Sequence, residues 1–182
     1  MPQIIPLLDH GHKHFGENKI QESIEKWINI KEDYAEIKLH MIGKIQTNKV
    51  KFLLPLFDYI HSLDNIKLAK KISLEQIKHN KKPKIFIQVN IGNETQKNGV
   101  DINDLKSFYT LCKEELNLNI IGLMCLPPIE DNSKSYFQQM KKLAESINVK
   151  ELSMGMSGDY LEASKNGASF LRIGSKIFGP RS

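Results

Sequence analysis

Short apolar runs alternate along the whole chain with stretches whose apolar residues recur every three or four positions, a β/α alternation rather than a helical or an all-strand pattern. The runs predict strands at His14–Glu17, Leu39–Gly43, Tyr59–Leu63, Lys84–Asn90, Ile120–Cys125, Leu152–Met156 and Phe170–Ile173. Helical periodicity fills the intervals at 18–30, 45–54, 65–80, 102–117, 133–147 and 159–166. Asp64-Asn65, Asp101 and Asn132-Ser133 stand where helix N-caps are needed. Gln3 to Gly11 predicts a further short helix, with Ile4, Ile5, Leu7 and Leu8 on its apolar side. Ile20, Ile24, Trp27 and Ile28 keep helical spacing and read as a packing face, and Phe52 and Phe57 bracket Pro55 at a helix-to-strand turn.

Strict β/α alternation implies parallel strands joined by right-handed crossovers. About seven such units are too many for most small open sheets and one short of a closed (β/α)8 barrel. The expected fold is therefore α/β, a TIM-type barrel whose first strand is missing, in a single domain over residues 1–182. In such barrels the chemistry sits at the C-terminal strand ends, and phosphate commonly binds in the loops after the last two strands.

Those two loops are the most informative part of the chain. Leu152-Ser153-Met154-Gly155-Met156-Ser157 ends in a small hydroxyl residue, Asp159 and Glu162 open the next helix, and Gly167 closes it. Phe170-Leu171-Arg172-Ile173 then meets Gly174-Ser175. Two consecutive strands thus end in Gly/Ser turns whose backbone N–H groups are free to face an anion. Asn18, Lys44, Asp64, Asn90 and Cys125 converge on the same rim.

Composition sharpens one residue in this segment. Lys and Arg total 26, yet the only arginines are Arg172 and Arg181. An arginine inside an apolar strand of a lysine-using chain points to a demand for a planar, always-charged donor, as for a heteroaromatic nitrogen or a phosphate. The structural alternative is a barrel-lining arginine paired to a carboxylate.

The net charge of +5 permits an anionic partner, but the lysines are dispersed. The densest group, Lys78-His79-Asn80-Lys81-Lys82, falls at a helix end, where cations complement the dipole, so no nucleic-acid surface is expected. Cys112 and Cys125 show no CxxC or zinc spacing, which favours a reduced compartment. No charged leader precedes an apolar run, and no stretch of about 18 uninterrupted apolar residues occurs, so a cytoplasmic protein without membrane contact is expected. His10-Gly11-His12-Lys13-His14 lacks the Cys or paired carboxylates that would complete a metal site. Glu17 reads as a carboxylate pinned by a rim lysine, His40 and His61 as histidines with satisfied hydrogen bonds, and Cys125 as buried.

An ordered set of short stretches resembles the pyridoxal phosphate homeostasis proteins (YggS/PROSC type), which share the barrel of alanine racemases. The stretches are His14-Phe15-Gly16-Glu17-Asn18, His40-Met41-Ile42-Gly43, His61-Ser62, Gln88-Val89-Asn90, Gly122-Leu123-Met124-Cys125, Leu152 to Ser157, and Arg172-Ile173-Gly174-Ser175 with Ile177-Phe178-Gly179. Each is weak alone, but together they run in order across nearly the whole chain.

The resemblance implies a pyridoxal 5'-phosphate (PLP) site. Met156, Ser157 and the Gly174-Ser175 turn would hold the phosphate, Arg172 would face the pyridine nitrogen, and Asn18 would lie near the cofactor's reactive side. It also implies a role in PLP (vitamin B6) homeostasis without catalysis, with PLP-dependent apoenzymes as recipients. The family's Schiff-base lysine lies in a first strand to which no residue of this chain corresponds. Covalent attachment is therefore not expected, and neither Lys44, Lys97 nor Lys176 is supported for it by a motif. A barrel without that strand is expected to expose backbone and apolar groups of its neighbours, the Phe15 and Phe170 runs, and to be a monomer or an edge-paired homodimer. The alternatives are a PLP-dependent racemase-like enzyme and a non-functional remnant or interaction subunit.

Overall fold

The computed structural model describes residues 3–94, 98–128 and 133–179. A short helix α1 (Ile5–Asp9) leads into β1 (His14–Glu17), and Gly11, at φ +83°, makes the left-handed turn between them. The predicted 18–30 helix is two pieces, α2 (Ile20–Trp27) and α3 (Ile30–Asp33), followed by β2 (Lys38–Met41). A 3-10 turn (Thr47–Lys49) opens α4 (Val50–Leu56), then come β3 (Tyr59–Leu63), α5 (Ile66–Lys78) and β4 (Lys84–Val89). Helix α6 (Leu105–Thr110) runs into a π turn (Leu111–Glu115) before β5 (Ile120–Cys125). The chain ends with α7 (Ser133–Ser146), β6 (Glu151–Met156), α8 (Tyr160–Lys165), β7 (Phe170–Arg172) and α9 (Ser175–Phe178).

Local chemistry sets several of these boundaries. Asn65 caps α5, its side chain accepting from Leu68 N at 2.9 Å. Asp101 caps a turn rather than α6 itself, accepting from Asn103 N at 2.8 Å, which delays the helix to Leu105. Asn132 lies outside the described residues. Strand β2 stops two residues before the predicted Gly43, where the chain turns toward the rim.

The seven strands among the described residues are all parallel, in the order β1-β2-β3-β4-β5-β6-β7. The sheet curls on itself: the ring of His14 on β1 lies 6.4 Å from that of Phe170 on β7, and His40 on β2 lies 5.7 Å from the same ring. Among the described residues β1 and β7 do not pair, so the barrel is nearly closed, with a seam one strand wide. The side chains beside the seam are not stranded in water. Phe15 is 5% exposed and packs on Trp27 at 5.0 Å, and Phe170 is half-buried inside the barrel.

The core has two compartments. A large aliphatic layer between strands and helices includes Trp27, Leu39, Leu53, Ile60, Ile72, Ile87, Leu123, Phe137 and Met154. The barrel interior is instead lined by Tyr59, Phe86, Met124 and Phe170 together with three histidines, in place of the usual branched aliphatics.

Candidate functional site

At the C-terminal rim, β6 and β7 bring the predicted phosphate turns together. Ser157 Oγ accepts from Gly174 N at 3.3 Å and from Lys176 N at 3.4 Å, contacts long enough to be weak and exchangeable. Gly155 takes φ +88°, and a Cβ there would lie 2.5 Å from the Cβ of Ala163, so only glycine lets α8 close on β6. Asp159 Oδ1 accepts from Met156 N at 2.7 Å and holds the turn, with Met156 42% exposed beside it. Space around Gly174 is open.

Arg172, the last residue of β7, points inward. It donates from Nη1 to Ser153 Oγ at 2.7 Å and from Nη2 to the Cys125 carbonyl at 2.8 Å. Among the described residues no carboxylate lies within ion-pair distance of it, so the structural alternative of a carboxylate pair is not what the strand uses. Burial works against the charged guanidinium and lowers its pKa. The barrel mouth thus holds a cation oriented by two neutral acceptors, with no carboxylate in contact and only Asp159 acting on it from further away.

Behind Arg172 runs a line of hydrogen bonds that no sequence pattern announces. Ser153 Oγ lies 2.8 Å from His61 Nδ1, His61 Nε2 lies 2.9 Å from His40 Nδ1, and His40 Nε2 lies 2.9 Å from His14 Nδ1. The rings are held by stacking, His61 on Phe86 at 4.3 Å and His40 on Tyr59 at 4.1 Å. Burial is the main cause that keeps them neutral: His40 is pushed down to about 3, His61 well below the ordinary imidazole value, and His14 is lowered too. Histidines 40 and 61 are satisfied as the sequence suggests, but by one another across the barrel, and Ser153 was not singled out at all.

The remaining rim candidates sort by partner. Asn18 is exposed on the rim, and a Cβ on Gly43 would lie 2.1 Å from its carbonyl oxygen, so the glycine is what lets these two loops approach. Asn90 spends its amide on Glu94, at 3.0 and 3.2 Å, closing its own loop. The Cys125 thiol is buried and pushed up to about 12 by burial, so its carbonyl, not its sulfur, serves the site. Glu17 Oε1 accepts from Lys26 Nζ and Trp27 Nε1, both at 2.7 Å, the pinned carboxylate expected. Lys44 is exposed, Lys176 Nζ sits 4.5 Å over the Tyr160 ring, and Lys97 and Arg181 lie outside the described residues. In the basic group after α5, Lys78 bonds to Glu75, Lys81 to the Pro55 carbonyl and Lys82 to Asn117.

Sheet, seam and rim define a parallel β/α barrel with a polar mouth at the C-terminal ends of β6 and β7. Residues 1–182 match the family described as alanine racemase, N-terminal domain. A pyridoxal phosphate homeostasis protein of Aquifex aeolicus (strain VF5) is 37% identical over 190 residues, covering 99% of this chain and 82% of the relative. One of Synechocystis sp. (strain ATCC 27184 / PCC 6803 / Kazusa) is 36% identical, covering 94% and 82%. The structure of PipY from Synechococcus elongatus PCC7942 without PLP matches with a TM-score of 0.92 at 31% identity, over 98% of this chain and 87% of that one. The same protein with PLP bound matches at 0.90 and 30% identity, over the same shares. The chain therefore belongs to the alanine racemase N-terminal domain family.

Proposed function

We propose that this chain binds PLP at the rim between β6 and β7 and serves cytoplasmic PLP homeostasis as a carrier, with no catalysis of its own. The observation that carries the reading is the inward-facing guanidinium of Arg172 without a carboxylate partner, set beside a turn whose backbone donors reach only weakly to Ser157. Relatives called pyridoxal phosphate homeostasis proteins, and the PLP-bound form of PipY, support it. Among the described residues no helix is long and apolar enough to cross a membrane.

In this reading Met156, Ser157, Gly174 and Ser175 hold the phosphate, whose oxygens take the amide donors now given to the Ser157 hydroxyl. Arg172 faces the pyridine nitrogen, and Asn18, after β1 on the same rim, lies near the cofactor's reactive side. When bound, the cofactor supplies an electrophilic aldehyde on an electron-withdrawing ring. A guanidinium beside the nitrogen disfavours its protonation, so the ring is a poor electron sink and the site suits storage and delivery to PLP-dependent apoenzymes better than amino-acid chemistry.

Titration with PLP followed by absorbance tests the reading. Wild-type protein is expected to bind PLP. Arg172→Ala is expected to bind at least about tenfold more weakly, the loss of one charge-assisted interaction. Equal affinity of the two proteins contradicts the assignment, and racemisation of L-alanine by the PLP-loaded chain contradicts the absence of catalysis.

A further inference from the structure

Resting on that reading of Arg172, we propose that Ser153, His61, His40 and His14 form a positioning line, an uncharged hydrogen-bond chain of one fixed polarity that aims the guanidinium at the ligand without neutralising it. With Arg172 at its head, the line spans five strands. From Arg172 at the C-terminal end of β7 it passes through Ser153 in β6, crosses the interior to His61 in β3, and descends through His40 in β2 to His14 at the N-terminal end of β1.

Its polarity follows from donor accounting. Arg172 can only donate, so it occupies a lone pair of Ser153 Oγ. The other described partner of that oxygen is His61 Nδ1. If His61 donated, the buried Ser153 hydroxyl proton would have no acceptor, a loss of about 1–3 kcal/mol. The hydroxyl therefore donates to His61 Nδ1, which places the His61 proton on Nε2. That proton goes to His40 Nδ1, and the His40 Nε2 proton goes to His14 Nδ1. His14 is exposed, and its Nε2–H reaches water. Every nitrogen in the line is used once, and all three imidazoles are the Nε2–H tautomer.

The arrangement explains the acceptors Arg172 has. A carboxylate in place of Ser153 would also orient the guanidinium but would cancel its charge. A charged imidazole in the line would set two N–H donors face to face and add a second cation beside Arg172. Neutral rings fixed by stacking on Phe86 and Tyr59 orient the guanidinium without putting a counter-charge in contact with it, and Asp159 acts only from further away.

Two measurements test this. Nitrogen-edited NMR of the imidazoles in the chain without PLP, at neutral pH, is expected to show His14, His40 and His61 all protonated on Nε2; an Nδ1 proton on any of them overturns the polarity. In PLP titrations Ser153→Ala is expected to weaken binding roughly tenfold and release the His61 tautomer, while Ser153→Thr, which keeps the hydroxyl, retains both. Wild-type affinity in Ser153→Ala, with Arg172→Ala impaired, overturns the positioning role and leaves the PLP site standing. Wild-type affinity in both variants removes the PLP site, while the tautomers, read without ligand, still decide the line. The wild-type spectrum also decides it if Ser153→Ala does not fold.

Discussion

At the scale of single residues, the rim depends on which atoms are left over after the protein has satisfied itself. Arg172 retains donors because its two acceptors, the Ser153 hydroxyl and the Cys125 carbonyl, are neutral. A lysine at this position would keep the charge and lose the fork, since one ammonium cannot span two fixed acceptors and still face a ring. Arg172→Lys is accordingly expected to bind PLP about as weakly as Arg172→Ala, measured by the same titration. Binding restored to the wild-type level would show that charge alone suffices. The inward position of Arg172 could be suspected because it is one of two arginines in a lysine-rich chain. The contacts of Ser153 could not, because a serine inside an apolar strand carries no local signal, and they exist only once β3, β6 and β7 face one another.

At the scale of elements, the strands were readable almost to the residue. Strands buried on both faces give continuous apolar runs, and Ile120–Cys125 and Tyr59–Leu63 begin and end where those runs do. Helix ends were less readable. The periodic stretch 18–30 divides after Trp27, and the stretch 102–117 starts late and finishes as a π turn, because side-chain caps and packing set those limits rather than hydrophobic period. The histidines on β1, β2 and β3 give these strands a pH dependence. Each has a folded-state pKa below the ordinary value near 6.5, mainly through burial, so the unfolded chain binds more protons on acidification. Their stabilisation is complete above about pH 6.5 and is lost as pH falls toward the folded value of about 3 for His40. The groups facing this stretch, Arg172 beside His61 and His12, Lys38 and Lys84 beside His14, act in the same direction, and Asp58 opposes them. Thermal melts between pH 7 and pH 4 are expected to show a falling Tm, the unfolding free energy dropping by up to about 1.4 kcal/mol per pH unit for each of the buried His40 and His61. His40→Gln is expected to flatten the curve, and an unchanged slope in that variant would mean the dependence arises elsewhere.

At the scale of the whole molecule, the governing feature is a seven-stranded barrel with a seam. Among the described residues strand β7 pairs only with β6, and Leu171 within it is 38% exposed. The molecule is expected to self-associate through this edge at high concentration, and sedimentation velocity over a concentration series checks it; a monomer at every concentration would show that the seam is protected. Order in sequence sufficed to infer the barrel, but not the consequence of its closure. The line from His14 to Arg172 joins positions far apart in the chain, and only a curled sheet brings them to hydrogen-bonding distance. The most direct test of the central claim is a crystal structure of the chain with PLP. The account predicts the phosphate against Ser157, Gly174 and Ser175 with the pyridine nitrogen facing Arg172, and PLP bound elsewhere, or Arg172 turned away from it, would contradict it.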